Sequence, residues 1–191
     1  MRVALLVFLP PNFPIYVQII NYGSVSLAEW ITFPGAVADA IMAALAGKIL
    51  DKKGARLPII SGIIASLFSL AILWLIPKLY NLEIVVLFII YYGGYGMSFS
   101  SLMTSGLIAL NKKNHAQGNA IFNTLQQFSS AVGTSLAGTL IAISQNVQSL
   151  RKPIATSVGA RWTFIVLFIL LICSLIISLI FVPKYKDANK N

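Results

Sequence analysis

Charge is what this 191-residue sequence has least of. Acidic and basic residues together make up 10% of it, and only five are acidic, where soluble domains carry about 25%. Histidine occurs once, as His115, and cysteine once, as Cys173. A single cysteine excludes an intramolecular disulfide. One histidine far from one cysteine supplies neither a metal-ligand cluster nor a nucleophile with its base. No phosphate-binding loop is present either, so no enzyme, metal or cofactor is expected. The net charge of +9 raises the question of nucleic acid. Its basic residues, however, sit in short clusters between apolar runs, with no continuous basic face carrying interleaved aromatics. Nucleic-acid binding is therefore not expected.

What is abundant is apolar surface. Hydrophobic residues form 58% of the chain and mean hydropathy is +0.84, a composition that belongs in a bilayer. Six apolar runs stand out, over 3–20, 30–46, 58–77, 84–110, 118–144 and 162–182. About 20 apolar residues in a helix cross a hydrocarbon core, and the runs lack the alternation of a barrel strand. The expected fold is all-α and integral to the membrane, a single domain of six transmembrane helices in contact with lipid. If the N-terminus is cytoplasmic, ten Lys and Arg fall inside and four outside. By the positive-inside rule both termini are then cytoplasmic. A secretory signal is the competing reading of the first run, but it lacks a small-residue cleavage site and carries Pro10, Pro11 and Pro14.

The runs differ in polarity. Those at 58–77 and 162–182 hold no charged or amide side chain and are expected at the periphery. The others carry Asn12, Gln18, Asp39, Asn119, Asn123, Gln126 and Gln127, or the cluster "YYGGYG" with Tyr92. Such groups face protein or water rather than lipid tails. On a helical wheel Asn119, Asn123, Gln126, Gln127, Ser130 and Thr134 share one face, which either lines a cavity or ties helices together. Ser129, Gly133 and Ala137 repeat every four residues beside it, a pattern for close helix approach. Pro34-Gly35, and Gly93, Gly94 and Gly96, are expected to kink or loosen their helices, or to permit tight packing.

Asp39 is the residue with the sharpest implication. It stands nine positions after Trp30, roughly 14 Å along a helix, near mid-membrane. An acid there costs about 2.5–3.5 kcal/mol on insertion scales, and such residues mark ion or substrate paths. It is expected to carry a proton or attract a cation; the alternative is an acid hydrogen-bonded within the bundle. The loop "GKILDKKGAR" follows, with Gly47, Asp51, Gly54 and Arg56 at fixed offsets. Gly47 is expected to let neighbouring helices approach, Gly54 to make a turn, and Asp51 to bond nearby bases or the start of the next helix.

This loop resembles the G-x-x-x-D-x-x-G-x-[KR] signature of major facilitator transporters, which lies between the second and third helices of each six-helix half. "PIYVQIINYGSVSLAEWITFPGAV" and "GNAIFNTLQQFSSAVGTSLAGTLI" further resemble segments of the fourteen-helix drug:proton antiporter-2 family. The likeness runs from about Tyr16 to Val182 and follows that family's last six helices in order. Glu29 stands where the family tends to have glycine, and Leu50 replaces a common alanine. The resemblance implies a C-terminal half of a proton-coupled multidrug exporter in a bacterial plasma membrane. It would work by alternating access with a separate N-terminal half or by self-association, with the proton gradient as its energy source. The substrate would be a small lipophilic or cationic molecule. Tyr16, Gln18, Asp39, Tyr92, Asn123, Gln126 and Gln127 are the candidate proton and substrate residues, and Gly47, Asp51, Gly54 and Arg56 the gating loop. The other reading is a non-transporting remnant or membrane binding subunit.

Overall fold

A computed structural model describes residues 24–76, 80–147 and 152–182. The apolar run over 3–20, with Tyr16 and Gln18, lies outside the described residues. The rest forms five long helices, α1 (Val25–Lys53), α2 (Arg56–Leu75), α3 (Asn81–Ile108), α4 (His115–Val147) and α5 (Lys152–Phe181), with a 3₁₀ turn over Lys112–Asn114.

The helix ends follow from local chemistry. Ser24 caps α1, its Oγ accepting from the Leu27 amide at 3.1 Å. The helix stops at Gly54, whose φ of 78° is cheap only for glycine, and the Gly54 amide donates to the Leu50 carbonyl at 2.9 Å. Glu83 opens α3 by accepting from the Tyr80 amide at 3.0 Å. All five helices begin before their apolar runs. The furthest is α5, which begins at Lys152 rather than near Trp162, because apolar runs mark what lies in lipid whereas backbone hydrogen bonding continues into the polar rim.

Among the described residues, four helices are long and apolar enough to cross a membrane, over Glu29–Lys53, Arg56–Leu75, Asn81–Ile108 and Ile154–Phe181. At 33 residues α4 is the longest of the five, but it is not among these four. Its amides and hydroxyls lower its mean hydropathy below that of a lipid-facing span.

Packing is built around α3. Its contacts with α1 pair Gly35 with Phe88, Ala38 and Met42 with Gly93, and Asp39 with Gly96. Both sequence numbers rise together, so the two helices run parallel. On another face α3 meets α2 antiparallel, glycine on glycine. A β-carbon on Gly94 would come within 2.5 Å of the Gly62 carbonyl oxygen. Serines stitch this seam: Ser69 donates to the Leu87 carbonyl at 2.7 Å, Ser66 to that of Tyr91 at 3.0 Å, and Ser98 to that of Ile59 at 3.1 Å. The glycines of the "YYGGYG" cluster therefore serve close packing, as Gly35 does against Phe88, and no bend has to be invoked for them.

The main core joins α2, α3 and α5 through Ile59, Ile63, Leu70, Ile84, Phe164 and Leu171. The two helices expected at the periphery, α2 and α5, pack on each other here while turning Ile64, Phe68, Ile169 and Ile176 outward. Antiparallel α4 lies against α5, with Gly159 against Ile141 and Gln145 donating to the Thr156 hydroxyl at 2.7 Å. Ser129, Gly133 and Ala137 are all buried, so the small-residue stripe is the packed side of α4.

Candidate functional site

Asp39 sits on the side of α1 that faces α3, partly buried, where a β-carbon on Gly96 would strike its carboxylate and lie 2.5 Å from its carbonyl oxygen. Glycine is what leaves room for the acid. Tyr92 and Tyr95 lie on the same stretch of α3, next in sequence to Gly93 and Gly96, the glycines that α1 packs against. Asp39 has neither a hydrogen bond nor an ion pair to any described residue.

The tyrosines belong to a ladder along one side of α3. Phe88 and Tyr92 stack with ring centroids 4.7 Å apart, Tyr92 meets Tyr95 edge-on at 6.0 Å, and Tyr95 and Phe99 stack at 5.9 Å. Steps of four, three and four residues keep the rings on one face. The Tyr95 hydroxyl then accepts from the Gln126 amide of α4 at 3.2 Å. An acid from α1, an aromatic ladder from α3 and an amide from α4 thus form one constellation, able to attract a cation and stack on an aromatic solute.

Asp39, Tyr92 and Gln126 of the candidate set are brought together. Asn123 and Gln127 stand nearby on α4 but exposed, Asn123 donating to Asn119 within its own helix at 3.3 Å. With Asn119 and Thr134 also exposed, the amide face of α4 turns away from the described bundle, and Gln126 is its link to α3. Tyr95 and Gly96 were not among the candidates. The signal was in the sequence: aromatics at 88, 92, 95 and 99 fall on one helical face, and a glycine one residue from a tyrosine marks a close approach. Tyr91 goes elsewhere, 2% exposed in the main core.

The gating loop divides. Gly54 makes its expected turn. Gly47 does not lie at a close approach, since a β-carbon there would meet nothing within 4 Å among the described residues. Asp51 is exposed and bonds neither a base nor the start of α2 among them. Arg56 reaches the far end of the chain instead. Its guanidinium donates to the Leu179 carbonyl at 3.1 Å and the Val182 carbonyl at 3.2 Å, capping the C-terminus of α5. Carbonyls in the last turn of a helix lack amide partners within it, and the negative end of the helix dipole favours a cation. Arg56→Gln should therefore lower stability by about 1.5–3 kcal/mol, the worth of hydrogen bonds to a charged group, and Arg56→Lys should recover part of it. Thermal unfolding in detergent reads this directly, and unchanged melting in both variants would contradict the clamp.

The Major Facilitator Superfamily profile matches residues 3–134. A lincomycin resistance protein, LmrB, of Listeria innocua is 34% identical over 137 residues, 69% of this chain and 28% of its own length. The Bacillus subtilis LmrB is 27% identical over 159 residues, 76% of this chain and 33% of its own. An uncharacterized transporter of the superfamily from Bacillus subtilis, YcnB, is 30% identical over 144 residues, 75% of this chain and 30% of its own. The chain thus matches about a third of the length of these relatives, and no solved structure matches it. With membrane-crossing helices, a polar constellation inside them and a profile match over most of its length, this multi-pass membrane protein belongs to the major facilitator superfamily of transporters.

Proposed function

We propose that this chain is the C-terminal half of a proton-coupled drug exporter of the drug:proton antiporter-2 type. It has six transmembrane helices with both termini cytoplasmic, and it works by alternating access against an N-terminal half or a second copy in a bacterial plasma membrane. The observation that carries this is Asp39, a carboxylate inside a membrane span, packed against Gly96 of α3, the helix that carries the Tyr92–Tyr95 ladder and through Tyr95 meets Gln126. A group that gains and loses a proton beside an aromatic wall suits exchange of protons for a small lipophilic or cationic solute. The proton gradient supplies the energy, and no bound cofactor enters the cycle. The outward-turned amides of α4 supply the other polar wall, as half of a cavity would. The names of the LmrB relatives add drug resistance as the physiological setting.

The test is complementation. In bacteria lacking their main exporters, this chain and an N-terminal six-helix half are produced separately and together, and efflux of a fluorescent lipophilic cation is followed. Efflux is expected only from the pair. If both halves reach the membrane and the pair does no better than either alone, the exporter reading fails. The reading as a remnant or binding subunit then replaces it.

A further inference from the structure

One side of α1 carries an exposed apolar stripe that ends in lysines. Trp30, Val37, Ile41, Leu45, Lys48 and Lys52 follow one another at helical spacing, opposite the face packed on α3. The first four are 71%, 41%, 55% and 41% exposed, and both lysines are exposed. From Trp30 to Lys48 is roughly 27 Å at 1.5 Å per residue, close to the ~30 Å of a bilayer's hydrocarbon core. A tryptophan at one end and lysines at the other are the usual interfacial anchors.

We propose that this stripe binds phospholipid and that its lysine end selects anionic headgroups. The acyl chain lies along Val37, Ile41 and Leu45, and the phosphate sits between Lys48 and Lys52, one turn apart. Three observations favour lipid over a protein partner. Large branched and aromatic side chains cover the stripe, whereas helix–helix contacts in membranes select small residues. Those are on the adjacent face, where Ala36, Ala40 and Gly47 are set. Lysine, moreover, is depleted from protein interfaces. Finally, the charge there is uncompensated. Neither lysine has an ion pair among the described residues, and Lys53, Lys112 and Lys113 are exposed at the same end of the bundle. Arg56, its guanidinium committed to α5, does not contribute. This inference rests on α1 spanning the membrane and is independent of transport.

The test uses the purified full chain in vesicles of phosphatidylcholine with trace spin-labelled phosphatidylglycerol or spin-labelled phosphatidylcholine, reading the motionally restricted fraction. The wild type should prefer phosphatidylglycerol, and each lysine removed in K48Q and K52Q should reduce that preference about fivefold. Preference should weaken with salt and resist competition by inorganic phosphate, because the acyl chain contributes. Equal restriction of both lipids by the wild type, or unchanged preference in K48Q/K52Q, would overturn the proposal. So would displacement by inorganic phosphate alone. A protein occupant has its own readout: with Cys173 replaced, a spin label attached at I41C in detergent should, after reconstitution, be relaxed by oxygen and not by a water-soluble nickel chelate. Disulfide capture of a second chain by I41C would give the stripe to a protein instead.

Discussion

Asp39→Asn is expected to cut efflux by the assembled exporter at least tenfold while leaving the protein folded in the membrane. Both halves of that statement come from the same geometry. The carboxylate is held between α1 and Gly96 of α3, the helix that carries Tyr92 and Tyr95, with no basic partner among the described residues. A charge so placed costs the fold something, about 2.5–3.5 kcal/mol on insertion scales, and asparagine removes the charge at almost constant volume. The variant should therefore melt at or above the wild-type temperature. It can neither release a proton nor attract a cation, so the efflux that remains should lose its dependence on the pH gradient. Equal efflux with equal pH dependence in the two proteins would remove Asp39 from the mechanism. A structural hydrogen-bonding acid predicts the opposite pattern, with melting lowered and the pH profile of the residual transport unchanged.

Glutamate at this position separates charge from placement. One added methylene shifts the carboxylate away from its place against Gly96. Asp39→Glu should transport poorly despite keeping the charge, and full activity would mean that the fit against α3 is not important.

Much of this site was legible in the sequence, because bilayer physics makes polar residues in apolar runs conspicuous. Asp39, the tyrosine–glycine cluster and the amide face of α4 were found that way, and three of their members converge. What the sequence withheld was pairing between distant segments. Arg56 lies within a charged loop, which suggested a partner in that loop, yet its hydrogen bonds go to carbonyls 123 and 126 residues away. Carbonyls have no residue type to read, so no sequence pattern announces them. The glycines were ambiguous for a related reason. A missing β-carbon permits a bend or a close approach equally, and only the neighbouring helix decides. Helix ends were misplaced because hydropathy reports the lipid boundary, while caps such as Ser24 and Gly54 set the backbone boundary.

The glycine seam carries the largest stability prediction. Gly94→Leu is expected to prevent assembly of α2 on α3, and Gly94→Ala to cost 3 kcal/mol or more, the upper end of about 1–3 kcal/mol for overpacking. A side chain in the way can rotate, but here the first obstacles are the Gly62 carbonyl oxygen at 2.5 Å, the Ser66 hydroxyl at 2.7 Å and the Ser66 amide at 3.0 Å. Backbone on backbone leaves only separation of the helices. Separation would also stretch the hydrogen bonds from Ser66 and Ser69 across the same seam, stranding buried hydroxyls at about 1–3 kcal/mol each, whereas Ser98 keeps its bond to the Gly94 carbonyl of its own helix. At Gly138, where a β-carbon would meet nothing within 4 Å among the described residues, alanine should be neutral or slightly stabilising, since glycine is the poorer helix former by about 1 kcal/mol. Melting of the two alanine variants, measured side by side in the same detergent, checks this. Similar melting temperatures would show that α2 and α3 are not closely apposed at this seam.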